Sequence, residues 1–295
     1  MNGLTSTWRD RVRPYLFILP AMIFLVVFTI YPLGNLVYLS FTDWNLVNPV
    51  KNWKGLANYR YLFGRQDFKT ALVNTFYYTF WNVLFLLGLA VIIAVWLKKD
   101  TKINGFLRTA MFTPHVIALL SISMVWAWLM NQEEGLLNMI LNALGFPSYP
   151  WLQSSDTAMN SILVVSVWKG LGYYVMIVFA ALQGIPAEIY EAADLDNASS
   201  VSRFFKITLP MISPQLFMLL ITMTIGSFKV FETIRIMTGG GPGTSTQVLV
   251  FYIYQQAFTY LKVGLACAAG TVLLVIVGIM TIIYFAALAR KVHYQ

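Results

Sequence analysis

Six long apolar segments limit what this chain can fold into. A bilayer core about 30 Å thick needs about 20 mostly apolar residues per helix, and each segment reaches that length. The segments are predicted at residues 15–39, 71–97, 107–130, 159–182, 211–237 and 264–289. The first is longer than the ~7–15-residue apolar region of a secretory signal and lacks a convincing cleavage site, so we expect it to remain as a span. The sequence therefore predicts an all-α, polytopic membrane protein with six transmembrane helices in one domain, residues 1–295.

The composition also excludes a soluble fold. Of the 295 residues, 58% are hydrophobic and 11% are charged, whereas soluble domains carry about 25% charged residues. A soluble chain of this length could not hide so much apolar surface, so membrane lipid must replace water over much of it. The single cysteine excludes an intrachain disulfide. The two histidines, His115 and His293, are too few and too scattered for a metal site.

Basic residues between the segments predict the orientation in the membrane. The net charge of +8 comes from short clusters and not from one extended face, which argues against nucleic acid as a partner and is typical of the positive-inside rule. With both termini in the cytoplasm, eleven of the 20 Lys and Arg lie inside, six outside and three within spans, although five of the outer six share the first outer loop. The inner set is Arg9, Arg11, Arg13, Lys98, Lys99, Lys102, Arg108, Arg203, Lys206, Arg290 and Lys291.

One hydrophilic segment differs from the others: residues 183–210, QGIPAEIYEAADLDNASSVSRFFKITLP. A helix is predicted to start after Pro186, with two glutamates near the positive end of its dipole. Asn197 is expected to end that helix, because Asn tolerates a left-handed backbone. Ser199 or Ser200 can cap a second helix. The segment is therefore predicted to form a helix–turn–helix hairpin on the cytoplasmic side.

The hairpin sequence resembles a cytoplasmic loop of the form EAA…DGA…I.LP, the hallmark of the membrane permease subunits of binding-protein-dependent ABC importers. Asn197 stands where that family usually has glycine, and we expect the hairpin to survive because Asn can adopt the same conformation. Other segments resemble the carbohydrate branch, which includes maltose-type and glycerol-3-phosphate-type permeases; among them are GLANYRYLF at 55–63 and TGGGP at 238–242. The residues in the register of the motif are Glu191, Ala192, Ala193, Asp196, Asn197, Ala198, Ile207, Leu209 and Pro210.

This resemblance implies a function and a set of partners. The chain would be a non-catalytic subunit in the bacterial inner membrane that forms half of a translocation pathway for a carbohydrate (an oligosaccharide) or a related polar solute. Its partners would be a second, non-identical permease, two ATP-binding subunits that bind ATP and Mg, and an extracytoplasmic solute-binding protein. The hairpin residues would couple the chain to the ATPase by docking in a cleft of an ATP-binding subunit. We expect no cofactor in this chain, because it has no Walker motif and the glycine-rich run at 239–245 lacks the P-loop lysine.

Charged residues inside the apolar segments predict part of the pathway. An ionisable group near the bilayer centre costs at least ~2.5 kcal/mol and is a functional candidate. Lys169 lies in the fourth segment, and Lys229, Glu232 and Arg235 follow one another at i, i+3, i+6 in the fifth. The alternative is that this last series lies near the outer water interface, where such charges need no special role. We hypothesise that the pathway is lined by Lys169, Tyr173, Tyr174, Ser227, Phe228, Lys229 and Glu232.

Two other classes of protein compete with this interpretation. A secondary transporter driven by an ion gradient usually has internal repeats and helices broken within the membrane, and neither is visible in the sequence. A membrane-embedded enzyme needs a Ser/His/Asp or metal-ligand cluster inside the spans, and none is predicted. The sequence leaves the solute open among a disaccharide, a longer oligosaccharide and a glycerol phosphoester.

Overall fold

The computed structural model describes residues 8–288, and their regular structure is helical apart from one isolated bridge between Thr42 and Trp53. Three π-helical turns, Val26–Ile30, Phe204–Thr208 and Gln255–Thr259, interrupt the α-helical backbone. In chain order the helices are α1 Trp8–Leu25, α2 Tyr31–Leu39, α3 Ala57–Gly64, α4 Gln66–Trp96, α5 Lys102–Val116, α6 Leu119–Leu129, α7 Leu136–Ala143, α8 Ala158–Gln183, α9 Ala187–Leu195, α10 Ser200–Arg203, α11 Leu209–Met211, α12 Ser213–Phe228, α13 Glu232–Met237, α14 Leu249–Tyr254 and α15 Val263–Leu288.

The described residues contain five helical segments that are long and apolar enough to cross a membrane, or six if one sharply bent pair counts as a single span. Five predicted spans correspond to helical segments whose bounds differ from the prediction by a few residues: the first, second, fourth, fifth and sixth. The all-α, multi-helix fold class is thus confirmed. The five segments are Arg13–Leu39, Gln66–Trp96, Ala158–Gln183, Ser213–Met237 and Val263–Ala286.

The third predicted span, 107–130, is not one helix, so the expectation of unbroken spans is wrong. Helix α5 ends at Val116, α6 begins at Leu119, and the two are bent by 97°. Ile117 and Ala118 between them have extended backbone, with ψ of 141° and 133°. Pro114, in the last turn of α5, has no N–H to donate within the helix. The hydrophobic run continues across this break and therefore conceals it.

The fifth predicted span, 211–237, is also interrupted. Helix α12 ends at Phe228, where the next two amides donate to carbonyls three residues back, as in a tightened final turn. Phe231 leaves the helical region with φ −145°, and α13 starts at Glu232. Lys229, Glu232 and Arg235 therefore do not share one face of a continuous helix, which corrects the i, i+3, i+6 prediction.

The chain divides into two compact units, and the smaller contains residues up to 64 together with 253–272. Its long N-terminal helical segment buries none of its residues from 13 to 35 against the protein, so its apolar side chains need lipid or another chain around them. The loop after α2 is tightly held: the side-chain amide of Asn58 donates to the carbonyls of Ser40 and Thr42, both at 2.8 Å. The amide of Gly264 donates to the carbonyl of Trp44 at 2.9 Å.

The larger unit contains residues 65–252 and those from 273 onward, and α4, α8 and α12 form its core. Small residues let the helices approach closely, as is common in membrane bundles. Ala90 and Ala94 on α4 are completely buried. On α8, a Cβ atom added to Gly172 would lie 1.8 Å from the carbonyl oxygen of Met111 on α5. The backbones of α5 and α8 are thus in direct contact. The buried core residues include Val83, Leu86, Val91, Val175, Val178, Leu182, Leu219 and Met223.

Gly172→Ala tests this contact. The added methyl group meets backbone, which cannot rotate away, so we expect α5 and α8 to separate at a cost of about 1–3 kcal/mol. The thermal unfolding midpoint in detergent should fall. Gly88→Ala is the matched control, because nothing lies within 4 Å of the Cβ position at this α4 glycine. Equal midpoints for the two variants would contradict the close approach.

Candidate coupling hairpin and intramembrane cavity

The segment after α8 forms the predicted helix–turn–helix hairpin. Helix α9 starts directly after Pro186 and is followed by Asn197, whose φ of 51° lies in the left-handed region. The amide of Ala198 closes the turn by donating to the carbonyl of Ala193 at 3.0 Å. Of the two candidate caps, Ser199 is the one used: its hydroxyl oxygen accepts from the amide of Ser202 at 3.3 Å. Asn197 thus supplies the conformation for which glycine is usual.

Side-chain contacts tie the two arms of the hairpin together. The hydroxyl groups of Tyr190 and Thr208 are hydrogen-bonded at 3.0 Å. Arg203 and Asp194 form an ion pair across the turn. The ammonium of Lys98, which follows the end of α4, lies 3.5 Å from the ring centroid of Tyr190, a cation–π contact. The hairpin is therefore fixed both internally and to the end of α4.

A second cation, Arg108 on α5, is buried next to α8. Arg108 is 8% exposed, its Cζ lies 3.9 Å from the ring centroid of Phe179, and one Nη donates to Asp100 at 3.1 Å. From the sequence, Arg108 and Lys98 were assigned only to membrane orientation. Their contacts connect residues far apart in the chain, so no local pattern indicated them.

The predicted coupling residues divide into an exposed set and a supporting set. Glu191, Ala192, Asp196 and Asn197 are exposed, whereas Ala193 is buried inside the hairpin. The remaining members are partly covered: Ala198, Ile207, Leu209 and Pro210. Three large apolar side chains of the hairpin also lie on its surface: Leu195, Val201 and Phe205 are 84%, 68% and 60% exposed. Large apolar side chains exposed in this way are typical of a surface that another protein covers.

A cavity of about 390 Å³ lies among α4, α8, α12 and the two helix breaks. It contains five of the seven predicted pathway residues: Lys169, Tyr174, Ser227, Lys229 and Glu232. Tyr173 is not part of the lining and stacks on His115, with ring centroids 4.4 Å apart. Phe228 lines a separate apolar groove and packs against Phe76, with the two ring centroids 5.3 Å apart. The other lining residues include Tyr78, Asn82, His115, Leu119, Ser166, Gly226 and Thr233.

Asn82, which sequence analysis missed, holds the central polar contact of this cavity. Its side-chain N–H donates to the hydroxyl of Ser227 at 2.9 Å, and that hydroxyl donates to the carbonyl of Met223 at 2.8 Å. The amide oxygen of Asn82 is buried and has no hydrogen-bond partner among the described residues. A buried acceptor is normally satisfied, so this unpaired oxygen marks Asn82 as a candidate functional residue. An amide in the middle of an apolar span was the available sequence signal.

Lys169 lies in the cavity wall, and its ammonium group is hydrogen-bonded to the protein backbone. Its Nζ donates to the carbonyls of Pro114, His115 and Ile117, at 3.4, 3.2 and 3.2 Å. These carbonyls belong to the end of α5 and the break that follows it. The three N–H groups of the ammonium are therefore all matched by backbone acceptors.

The glycine-rich run at 238–242 begins a loop anchored to α4. The side-chain amide of Asn74 donates to the carbonyls of Thr244 and Gln247, both at 3.0 Å. Gly240 has a φ of +89°, and a Cβ there would lie 2.7 Å from the ring of Phe251, so both backbone and space favour glycine. The loop thus acts as a fixed turn.

Residues 86–294 match a family model described as "Binding-protein-dependent transport system inner membrane component". The chain belongs to this family. The permease resemblance inferred from the hairpin motif is thereby confirmed. The prediction that the chain is a multi-pass protein of the inner membrane is confirmed as well.

Named relatives of this permease cover nearly its whole length. It is 38% identical to the probable ABC transporter permease protein YurN of Bacillus subtilis, over 91% of this chain and 93% of that one. It is 32% identical to the arabinooligosaccharides transport system permease protein AraP of the same organism, over 94% and 90%. Its fold is similar to a chain in the crystal structure of a bacterial alginate ABC transporter in complex with alginate pentasaccharide-bound periplasmic protein, with a TM-score of 0.86, 22% identity and coverage of 98% and 99%.

Variants of Tyr190 test how the hairpin is held. Tyr190→Ala removes both the ring beneath Lys98 and the hydroxyl bonded to Thr208, whereas Tyr190→Phe keeps the ring. A cation–π contact contributes about 0.5–1 kcal/mol at exposed sites. We expect amide hydrogen exchange over residues 187–208 to rise more in the Ala variant than in the Phe variant. Identical exchange in the two would show that the ring contact with Lys98 does not stabilise the hairpin.

Proposed function

We propose that this permease forms half of the pathway of an ATP-driven importer for a carbohydrate, best an oligosaccharide, or a related polar solute. The observation that carries the proposal is the buried, unpartnered amide oxygen of Asn82 in the wall of the 390 Å³ cavity. Sugars present many hydroxyl donors, and polar side chains beside aromatic groups are suited to them. Tyr78, Tyr174 and Ser227 supply such groups around Asn82. The volume is within the range of small-molecule sites.

The names of similar proteins support this solute class. One relative is named for arabinooligosaccharides, and the structural neighbour belongs to a transporter of alginate, a polysaccharide. Two lysines and one glutamate line the cavity. Because lysines can bind a phosphate group, a glycerol phosphoester is an alternative solute. A disaccharide is the other alternative.

The energy source lies outside this chain in our proposal. Two partner ATP-binding subunits hold ATP and Mg and hydrolyse the nucleotide, and this permease is non-catalytic. Glu191 and Asp196 have exposed carboxylates, and Leu195 and Phe205 are exposed apolar side chains of the same hairpin; together they suit a cleft carrying basic and apolar groups. Ala192 permits close approach there. Buried Ala193 and half-buried Ile207, Leu209 and Pro210 support the hairpin from behind and lead into α12.

The remaining partners and the orientation follow the family pattern. We propose a second, non-identical permease as the other half of the pathway and an extracytoplasmic solute-binding protein that contacts the fixed loop at 238–247. Both termini lie in the cytoplasm in this proposal, with Lys98 and Arg108 on the same side. Arg290 and Lys291, which contribute to the predicted orientation, lie outside the described residues.

The break between α5 and α6 gives one reason to test the rival class, because secondary transporters also use interrupted helices. Uptake into proteoliposomes that contain the assembled complex separates the two. ATP-driven import requires ATP inside the compartment that corresponds to the cytoplasm and is unaffected by a protonophore. Uptake that continues without ATP and stops with the protonophore would overturn the proposal. Labelled disaccharide, oligosaccharide and glycerol phosphoester in the same assay distinguish the solutes.

Glu191→Gln tests the coupling surface. Loss of a charged hydrogen bond costs about 1.5–3 kcal/mol, so we expect ATP-dependent uptake to fall about tenfold or more while the permease still reaches the membrane. Glu188→Gln is the matched control, since Glu188 is exposed on the same helix but outside the motif. Retained uptake in Glu191→Gln, or an equal loss in Glu188→Gln, would remove Glu191 from the interface.

Asn82→Ala tests the cavity. Removing the amide deletes the unpartnered acceptor and the donor to Ser227, so the apparent KM for the transported sugar should rise about tenfold, the effect of one lost hydrogen bond of roughly 1.5 kcal/mol. Asn142→Ala is the control, because Asn142 is exposed and bonds only locally to Ser148. An unchanged KM in Asn82→Ala would exclude Asn82 as a solute contact and remove the observation on which the cavity's assignment rests.

A further inference from the structure

The end of α5 presents carbonyl groups that the helix itself cannot satisfy. The last four carbonyls of any helix lack intrahelical partners, and here the chain turns through 97° directly after Val116. Ile117 and Ala118 are extended and add no helical N–H groups to cover that end. An uncovered carbonyl is costly wherever water does not reach it. The break therefore needs donors from another part of the chain.

Lys169 supplies those donors. Its ammonium donates to the carbonyls of Pro114, His115 and Ile117 within 3.2–3.4 Å. A cation at the carbonyl end of a helix is also favoured by the helix dipole. The position of Lys169 is set by α8, since Gly172 lies three residues further along and touches the backbone of Met111 on α5.

We propose that Lys169 is a positioning residue for transport: its ammonium caps the carbonyl end of α5 and holds the break that shapes the cavity. All three of its N–H groups are matched by backbone acceptors, so a direct bond to solute would require it to release one of them. His115 and Leu119, on either side of the break, line the cavity. A change in the bend moves them and alters the pathway for every solute alike.

The expected effect of Lys169 on transport rests on the proposed function, whereas its capping of α5 does not. Its direct readout is the bend between α5 and α6. Spin labels are placed at Ile103 of α5 and Met124 of α6, which are both exposed, and Cys267 is replaced by serine. The distance between the two labels, measured by pulsed electron paramagnetic resonance on the assembled complex in nanodiscs, reports the bend.

Three variants change the number of donors at position 169. Lys169→Arg keeps a cation with N–H groups, Lys169→Gln keeps two neutral donors, and Lys169→Met keeps only the apolar stem. We expect the wild-type distance in the Arg variant, a partial shift in the Gln variant and a longer or broader distribution in the Met variant. The maximal uptake rate should fall in the same order, about tenfold for Met, as expected for a loss of roughly 1.4 kcal/mol. The relative loss should be the same for each solute.

Lys229→Met is the matched control, because Lys229 lines the same cavity but is exposed and lies outside the α5–α6 break; its label distance should stay at the wild-type value. A wild-type distance in Lys169→Met, or a shift in Lys169→Arg as large as that in Lys169→Met, would overturn the cap. If Lys169→Met does not fold, Lys169→Gln against Lys169→Arg gives the same comparison. A KM change for one solute but not another would instead mark Lys169 as a solute contact. Absence of ATP-dependent uptake in the wild type would overturn the proposed function and leave the distance test intact.

Discussion

A backbone carbonyl or amide without a hydrogen-bond partner costs several kcal/mol in lipid, and this constraint organises the chain. Long helices meet it internally, which is why the apolar segments are helical. Each interruption must meet it in another way. At the break after α5 the donors come from Lys169, and at the loop beyond α13 they come from the side-chain amide of Asn74. Both polar side chains lie on spans, where they donate hydrogen bonds to the carbonyls of the adjacent irregular backbone.

The cavity and the breaks are therefore parts of one arrangement. Where α12 stops at Phe228 and α5 stops at Val116, the helices leave room that side chains fill incompletely. Asn82 lines the same cavity, with its side-chain N–H bonded to Ser227 and its buried oxygen unpaired among the described residues. A charged side chain within the membrane is costly unless it is paired. Binding Lys169 to backbone carbonyls keeps a cation in the wall at reduced cost.

The hairpin follows from different physics, since it lies outside the apolar segments. Its turn is specified locally by Asn197 and Ser199, and its attachment to the spans depends on Tyr190, Lys98 and Thr208. A force applied to the exposed carboxylates would therefore reach both the end of α4 and the start of α12. In the proposed function, this connection would transmit a closure driven by the ATP-binding partners to the spans.

The sequence alone determined the helical class, five of the spans and the hairpin, because hydrophobic length, Pro186 and the left-handed tolerance of Asn197 act within a few neighbouring residues. It also marked Lys169 as important, since a charge in an apolar run is costly wherever its partner lies. Only the tertiary structure decided what Lys169 does: its acceptors lie 52–55 residues earlier, and the break that exposes them is hidden in a continuous apolar stretch. Likewise, whether Tyr173 and Phe228 face the cavity depends on how their helices are rotated, and contacts between segments that are distant in the sequence set that rotation.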